Sequence, residues 1–164
     1  MAEPKKKPVA FPRANHNHAQ CIDEAVTAAD AHCHAHGLRL TPIRRRVLEL
    51  VWTHHGPIKA YDVLEQLRGE RQRVDPPTVY RALDFLLEHA LIHRLQSLNA
   101  FVGCRAAGTH AHTGQFLICQ KCHSVAEFND PSITRLLTTK TKQWGFAAAT
   151  QTIEISGLCP RCQA

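Results

Sequence analysis

Apolar residues recur at helical spacing in several successive stretches of the chain. Ile43, Val47, Leu50 and Val51 fall at i, i+4, i+7 and i+8, on one face of a helix that Thr41-Pro42 can open. An Ala-rich stretch from Cys21 to about His36, with Gly37 as its stop, predicts a helix before it. After the Gly56-Pro57 break, a third helix from about Ala60 to Arg68 turns Ala60, Val63, Leu64 and Leu67 inward. Pro76-Pro77 introduce a fourth, with Val79, Leu83, Leu86 and Leu87 inward and Thr78, Tyr80, Arg81, Asp84 and Glu88 outward. The pattern then changes to short strands, Leu91 to Gln96 and Phe101 to Cys104, joined by a four-residue loop from Ser97 to Ala100. Helices followed by such a hairpin predict a winged helix-turn-helix.

Past this point the residues shift toward His, Thr and Cys, and Gly108 marks a connector. The expected elements are strands Gln115 to Ile118 and Val125 to Phe128, a helix Pro131 to Gln143 ended by Gly145, and a strand Ala147 to Ile155. A sheet with one helix at this size buries too little apolar area to stand alone, so it needs a metal or a partner subunit. The expected fold is α+β: a flexible basic and His-containing tail (1–20), a winged helix-turn-helix (21–104), a hinge (105–113), and a small α/β domain (114–164).

Composition narrows the function. A chain of 164 residues excludes a large multidomain enzyme. Lys and Arg number 20 against 14 Asp and Glu, and the resulting +6 favours an anionic partner such as nucleic acid. No run suits a signal peptide or a membrane span, so the expectation is a cytoplasmic protein with reduced thiols and no membrane partner. In that setting seven Cys and twelve His read as metal ligands.

The strongest motif is the pair Cys119-Gln120-Lys121-Cys122 and Cys159-Pro160-Arg161-Cys162. Each C-x-x-C bites a metal with two sulfurs, and four thiolates make a closed structural zinc site with no open position for catalysis. Redox dithiols are the alternative, but such a motif normally opens a helix in a thioredoxin-like setting. No hydrolase elbow, phosphate-cradling loop or deaminase H-x-E pattern accompanies it. A second ligand set, His93, Cys104, His112 and Glu127, with His110 as a possible extra, draws on both expected domains. A metal held by it would link them; read singly, each residue is an ordinary surface or core side chain. His32, Cys33, His34 and His36 could hold an accessory ion, since His32 and His36 share a helix face. Glu65 and Arg68 have the i, i+3 spacing of a surface pair within one helix.

LRLTPIRRRVLEL, AYDVLEQLR, PPTVYRALDFLLEHALIHRLQSLNAFVGC, HAHTGQFLICQKCHSVAEF and the closing GLCPRC resemble the ferric uptake regulator superfamily, and within it the bacterial zinc uptake regulators. The resemblance covers roughly residues 20 to 162. It implies a homodimeric, metal-dependent repressor of double-stranded DNA operators, with residues 21–104 as a winged-helix DNA-binding domain, 114–164 as the α/β dimerisation domain, and Cys119, Cys122, Cys159 and Cys162 as its four-cysteine structural zinc ligands. It also implies His93, Cys104, His112 and Glu127 as the regulatory set, hence two Zn2+ per subunit. A thiolate at Cys104 favours zinc over the harder ions that the iron- and peroxide-sensing relatives take.

By the same resemblance the fourth helix reads DNA, with Arg81 suited to guanine, Tyr80 beside it, and Thr78 and the helix start suited to a phosphate. Tyr61 lies near DNA, and Arg44, Arg45, Arg46 and Lys59 supply phosphate attraction. Glu65 and Arg68 match positions that join two dimers on one operator. The targets implied are zinc uptake genes; alternatives are an iron- or peroxide-sensing relative, a zinc storage or delivery protein, and a small metalloenzyme. The His-rich segment lies at the N-terminus rather than the C-terminus, which departs from the family pattern, and His123 adds a candidate ligand.

Overall fold

A computed structural model of the chain describes residue 11 and residues 17–53, 56–70, 73–105, 107 and 114–163. Most of the expected tail and hinge, with His110 and His112, lies outside the described residues. The chain divides into two compact units, one spanning Asn15–His112 and the other containing Thr113–Ala164.

The first unit contains α1 (His18–Ala35), α2 (Pro42–Thr53), α3 (Ala60–Gly69), α4 (Pro76–Glu88), β1 (Ile92–Leu95) and β2 (Ala100–Gly103). Helix α1 begins three residues before the expected Cys21, because Asn17 caps it by accepting the N–H groups of Ala19 and Gln20 at 3.1 and 3.4 Å. Asp75 caps α4 in the same way, taking the Thr78 N–H at 3.1 Å, and Pro76 and Pro77 occupy the first turn, where no N–H is required. Val47, Leu48, Leu50 and Val51 of α2 pack with Val63 and Leu67 of α3 and Val79, Leu83 and Leu86 of α4 into one core. Leu87, expected inward, is only half-buried; Ala82 and Phe85, not expected inward, are buried on the far edge of the face that Val79, Leu83 and Leu86 form.

Strands β1 and β2 pair antiparallel from Ile92↔Gly103 to Leu95↔Ala100, and Ile58 adds a single bridge to Phe101. The loop is Gln96–Asn99, one residue earlier than expected. Ala100 is buried in the strand, and Asn99 takes the left-handed turn position (φ 47) while its side-chain oxygen accepts from Arg94 at 2.8 Å. At Gly103 the strand runs against the Trp52 ring, so close that a Cβ would come within 2.2 Å of it.

The second unit contains β3 (Gly114–Cys119), β4 (Val125–Phe128), α5 (Pro131–Gln143), β5 (Thr152–Gly157) and α6 (Pro160–Gln163). The sheet order is β4-β3-β5, with β3 antiparallel to β4 and parallel to β5. A parallel pair needs a crossover, and α5 supplies it. Buried Gln115 ties that crossover to the sheet, donating to the Asp130 carbonyl at 3.2 Å and Thr134 Oγ1 at 3.0 Å and accepting from the Asp130 N–H at 3.0 Å. The last strand was expected over Ala147 to Ile155. It runs instead from Thr152, because its partner β3 begins at Gly114, which faces Thr152; Ala147–Thr150 are exposed. Helix α6 was not anticipated. Among the described residues, no helix is long and apolar enough to cross a membrane.

The Gly103 packing is testable. Gly103→Ala must push Trp52 aside and is expected to lower stability by about 1–3 kcal/mol, read as a lower urea midpoint with little change in slope.

Candidate functional site

The first C-x-x-C grows out of the end of β3. Cys119 closes the strand, and the chain turns through His123 in the left-handed region (φ 57), whose N–H donates to the Cys119 carbonyl at 2.9 Å. The Gln120 N–H donates to the Gly157 carbonyl at 2.8 Å, pinning this turn to the end of β5. Two residues on, Cys159 opens the second pair, and the turn of α6 brings Cys162 back, its N–H donating to the Cys159 carbonyl at 2.8 Å. All four sulfur atoms lie within 4.8 Å of one another, with Cys122 and Cys159 at 3.7 Å. Zinc–sulfur bonds of about 2.3 Å in a tetrahedron place the sulfurs about 3.8 Å apart. The donor set therefore fits zinc.

Electrostatics prepare the cluster for a cation. The backbone N–H groups of Cys122, Cys159 and Lys121 hold the Cys119 thiol down at about 5, so it is a thiolate at neutral pH. The Ser124 hydroxyl, 3.0 Å from the sulfur, lowers Cys122 as well. Burial and the neighbouring sulfurs push Cys162 up to about 12, so a bound ion displaces its proton and holding the ion becomes harder as pH falls. Ser124 is a supporting residue that sequence reasoning missed; the only signal was its place two residues after Cys122. His123 is exposed and stands outside the four-sulfur group.

In the first unit, His93 on β1 and Cys104 just after β2 form a donor pair. The His93 ring nitrogen and the Cys104 sulfur lie within 4.8 Å of each other, and Cys104 is 2% exposed, with its N–H donating to the Leu91 carbonyl at 3.2 Å. In the second unit Glu127 is half-buried on β4, opposite Phe116.

On α4, Tyr80 is 54% exposed with Arg81 exposed beside it, and Tyr61 on α3 is 67% exposed. Thr78 is half-buried and its hydroxyl donates to the Asp75 carboxylate, so it helps cap the helix. The three arginines expected to face phosphate are engaged within the unit. Arg44 donates to the Arg39 carbonyl at 2.8 Å and lies 3.6 Å over the Phe85 ring. Arg45 pairs with Asp30, and Arg46 bridges Glu49 at 2.6 Å and Glu70. Lys59 is exposed. Glu65 and Arg68 form the within-helix pair, at 3.1 Å, with both side chains about half exposed.

A winged helix in one unit and a cluster of four thiols in the other define the class: a winged-helix protein with a thiolate metal centre. The chain belongs to the ferric uptake regulator family, whose model matches residues 35–156. It is 39% identical over 139 residues to the zinc uptake regulation protein of Escherichia coli strain K12, covering 85% of this chain and 81% of that protein. A zinc uptake regulator solved with zinc and DNA superposes with a TM-score of 0.82 at 38% identity, over 87% of this chain and 95% of the other. The holo form of XcZur gives 0.80 at 42% identity, over 86% and 98%.

If the sulfur cluster closes the second unit, Cys159→Ser or a strong chelator should unfold that unit. The expected readout is loss of the cysteine-bound zinc from the purified protein together with collapse of hydrogen-exchange protection in β3 and β5. Protection that survives metal removal would show that the sheet stands without the ion.

Proposed function

We propose that the chain is a zinc-responsive transcriptional repressor in which Zn(II) is the corepressor. The observation that carries this reading is the buried Cys104 thiol beside His93, in the unit whose α4 presents Tyr80 and Arg81. A thiolate with an imidazole selects a thiophilic borderline ion such as zinc over iron(II) or manganese(II). With Glu127 and His112, and His110 as a possible extra, the pair makes a regulatory zinc site in addition to the four-cysteine one, hence two zinc ions per subunit. Ligands drawn from both units make the ion a link between them. Zinc and DNA then raise each other's affinity by the same factor.

Arg81 reads a guanine edge, Tyr80 and Tyr61 flank it, the start of α4 with Thr78 meets a phosphate, and Lys59 adds sequence-independent attraction. Arg44, Arg45 and Arg46 already have partners inside the protein, so their contribution to phosphate attraction is secondary. The operators are palindromes before zinc uptake genes, bound in the cytoplasm by a homodimer. Exposed Leu136, Trp144, Phe146, Ile155 and Leu158 in the second unit supply the apolar surface for that dimer. Glu65 and Arg68, shared between neighbouring dimers, join two of them on one operator.

Binding to palindromic promoter DNA, titrated across buffered free zinc with iron(II) and manganese(II) in parallel, tests the reading. Tight binding should appear only as zinc rises. Cys104→Ser should move the midpoint to higher zinc, and Arg81→Ala should weaken specific binding by about 1–3 kcal/mol at saturating zinc. Glu65→Arg should abolish cooperativity and leave one-dimer affinity intact. Binding driven by iron(II) instead would make the chain an iron sensor of the same family. Separately, Leu136→Asp should halve the sedimenting mass, and an unchanged dimer would place the interface elsewhere.

A further inference from the structure

The first unit holds another group of ligand side chains, apart from the cysteine cluster and the wing. His36 is the C-terminal cap of α1, His89 is the C-terminal cap of α4, and His32 lies one turn earlier on α1. The ring centroids of His32 and His36 are 4.2 Å apart, and those of His32 and His89 are 6.0 Å apart. His32 is only 8% exposed, whereas His36 is exposed and His89 half-buried. Buried Phe85 forms one wall, its centroid 4.5 Å from that of His89.

Separate features suit this place to a cation. Histidines at i, i+4 on a helix offer two imidazoles to one ion from the same face. Both α1 and α4 end here, and a helix C-terminus carries partial negative charge that attracts a cation. His36 Nδ1 lies 2.8 Å from the His32 carbonyl. A carbonyl only accepts, so Nδ1 carries the proton and Nε2 holds the lone pair. That backbone contact is the one that metal-bound histidines commonly use to fix their tautomer.

We propose that His32, His36 and His89 bind a further divalent ion of borderline softness, zinc in the first instance, and that this ion pins the end of α1 to the end of α4. Nitrogens sharing a zinc at about 2.0–2.1 Å stand about 3.3 Å apart in a tetrahedral site. Rotation of the more distant His89 ring toward His32 brings the donors together, with His36 kept in place by its Nδ1 contact. Because α4 is the helix that carries Tyr80 and Arg81, the ion would set the rigidity of that helix independently of the Cys104 donor pair.

The test is a zinc titration of the full-length, zinc-loaded protein followed through its imidazole nitrogen resonances. One weaker zinc equivalent should shift His32, His36 and His89 together. His36→Gln and His89→Gln should each weaken it at least tenfold, with unchanged circular dichroism and an unchanged four-cysteine site, the latter read by cobalt(II) charge-transfer absorption in cobalt-substituted samples of the same variants. His32 is too buried for its variant to be decisive. A weak equivalent untouched by either substitution belongs to other histidines and overturns the proposal. Loss in His36→Gln alone overturns it too, because the ion would then sit on α1 without reaching α4.

Discussion

In the second unit, the contact between two turns of chain, residues 119–122 and 159–162, governs the rest. Its sheet buries Phe116, Ile118, Val125 and Ala126, but α5 contributes no buried residue, and β5 leaves Ile155 half exposed. Apolar burial on this scale does not offset the cost of ordering so many residues. A metal ion on the sulfur cluster and a second subunit covering the exposed apolar surface are the two sources that can make up the difference. The cluster joins the end of β3 to the turn after β5, so one bound ion closes a loop containing β4, α5 and β5 at once. The parallel pairing of β3 with β5 runs up to the same closure, where the Gln120 N–H donates to the Gly157 carbonyl.

The first unit is held differently. Its core is continuous through α2, α3, α4 and the wing, and its polar groups are used to aim α4. Asp75 and Thr78 fix where that helix starts, while Leu83 and Leu86 fix which face turns out. The basic residues of α2 reach acidic partners on neighbouring segments, Arg45 to Asp30 on α1 and Arg46 to Glu70 after α3. These pairs are part-exposed and each adds little stability. Their larger effect is on the charge map, because net basicity counts side chains that already have acidic partners.

Helix faces and cysteine spacing were legible in the sequence because both are local. The 3.6 period of Val79, Leu83 and Leu86 needs no partner to be read, and C-x-x-C defines a metal knuckle by itself. What was misread depends on distant residues. The start of β5 is set by its register with β3, nearly forty positions earlier, and the partners of Arg45 and Arg46 lie 15 and 24 positions away. Asn17 was legible in principle as a helix cap, but the Asn and His residues around it hid the boundary. Glycine at 103 gave no hint that it receives the Trp52 ring, since close approach leaves no periodic trace.

That glycine bears on how a donor pair in the wing is connected to α4. Cys104 follows Gly103 directly, and packing on Trp52 holds this end of β2 against α2. The Cys104 N–H bonds to the Leu91 carbonyl, and the Leu91 N–H bonds at 2.9 Å to the carbonyl of Leu86, in the last turn of α4. Two backbone hydrogen bonds thus connect the thiol's own residue to the helix bearing Tyr80 and Arg81. Residues 91, 92 and 86 are all buried, so the connection has no slack to absorb a displacement. An ion that fixes the Cys104 sulfur therefore restrains the end of α4 through rigid backbone. A ligand on a flexible surface loop would leave that helix free, whereas a buried one does not.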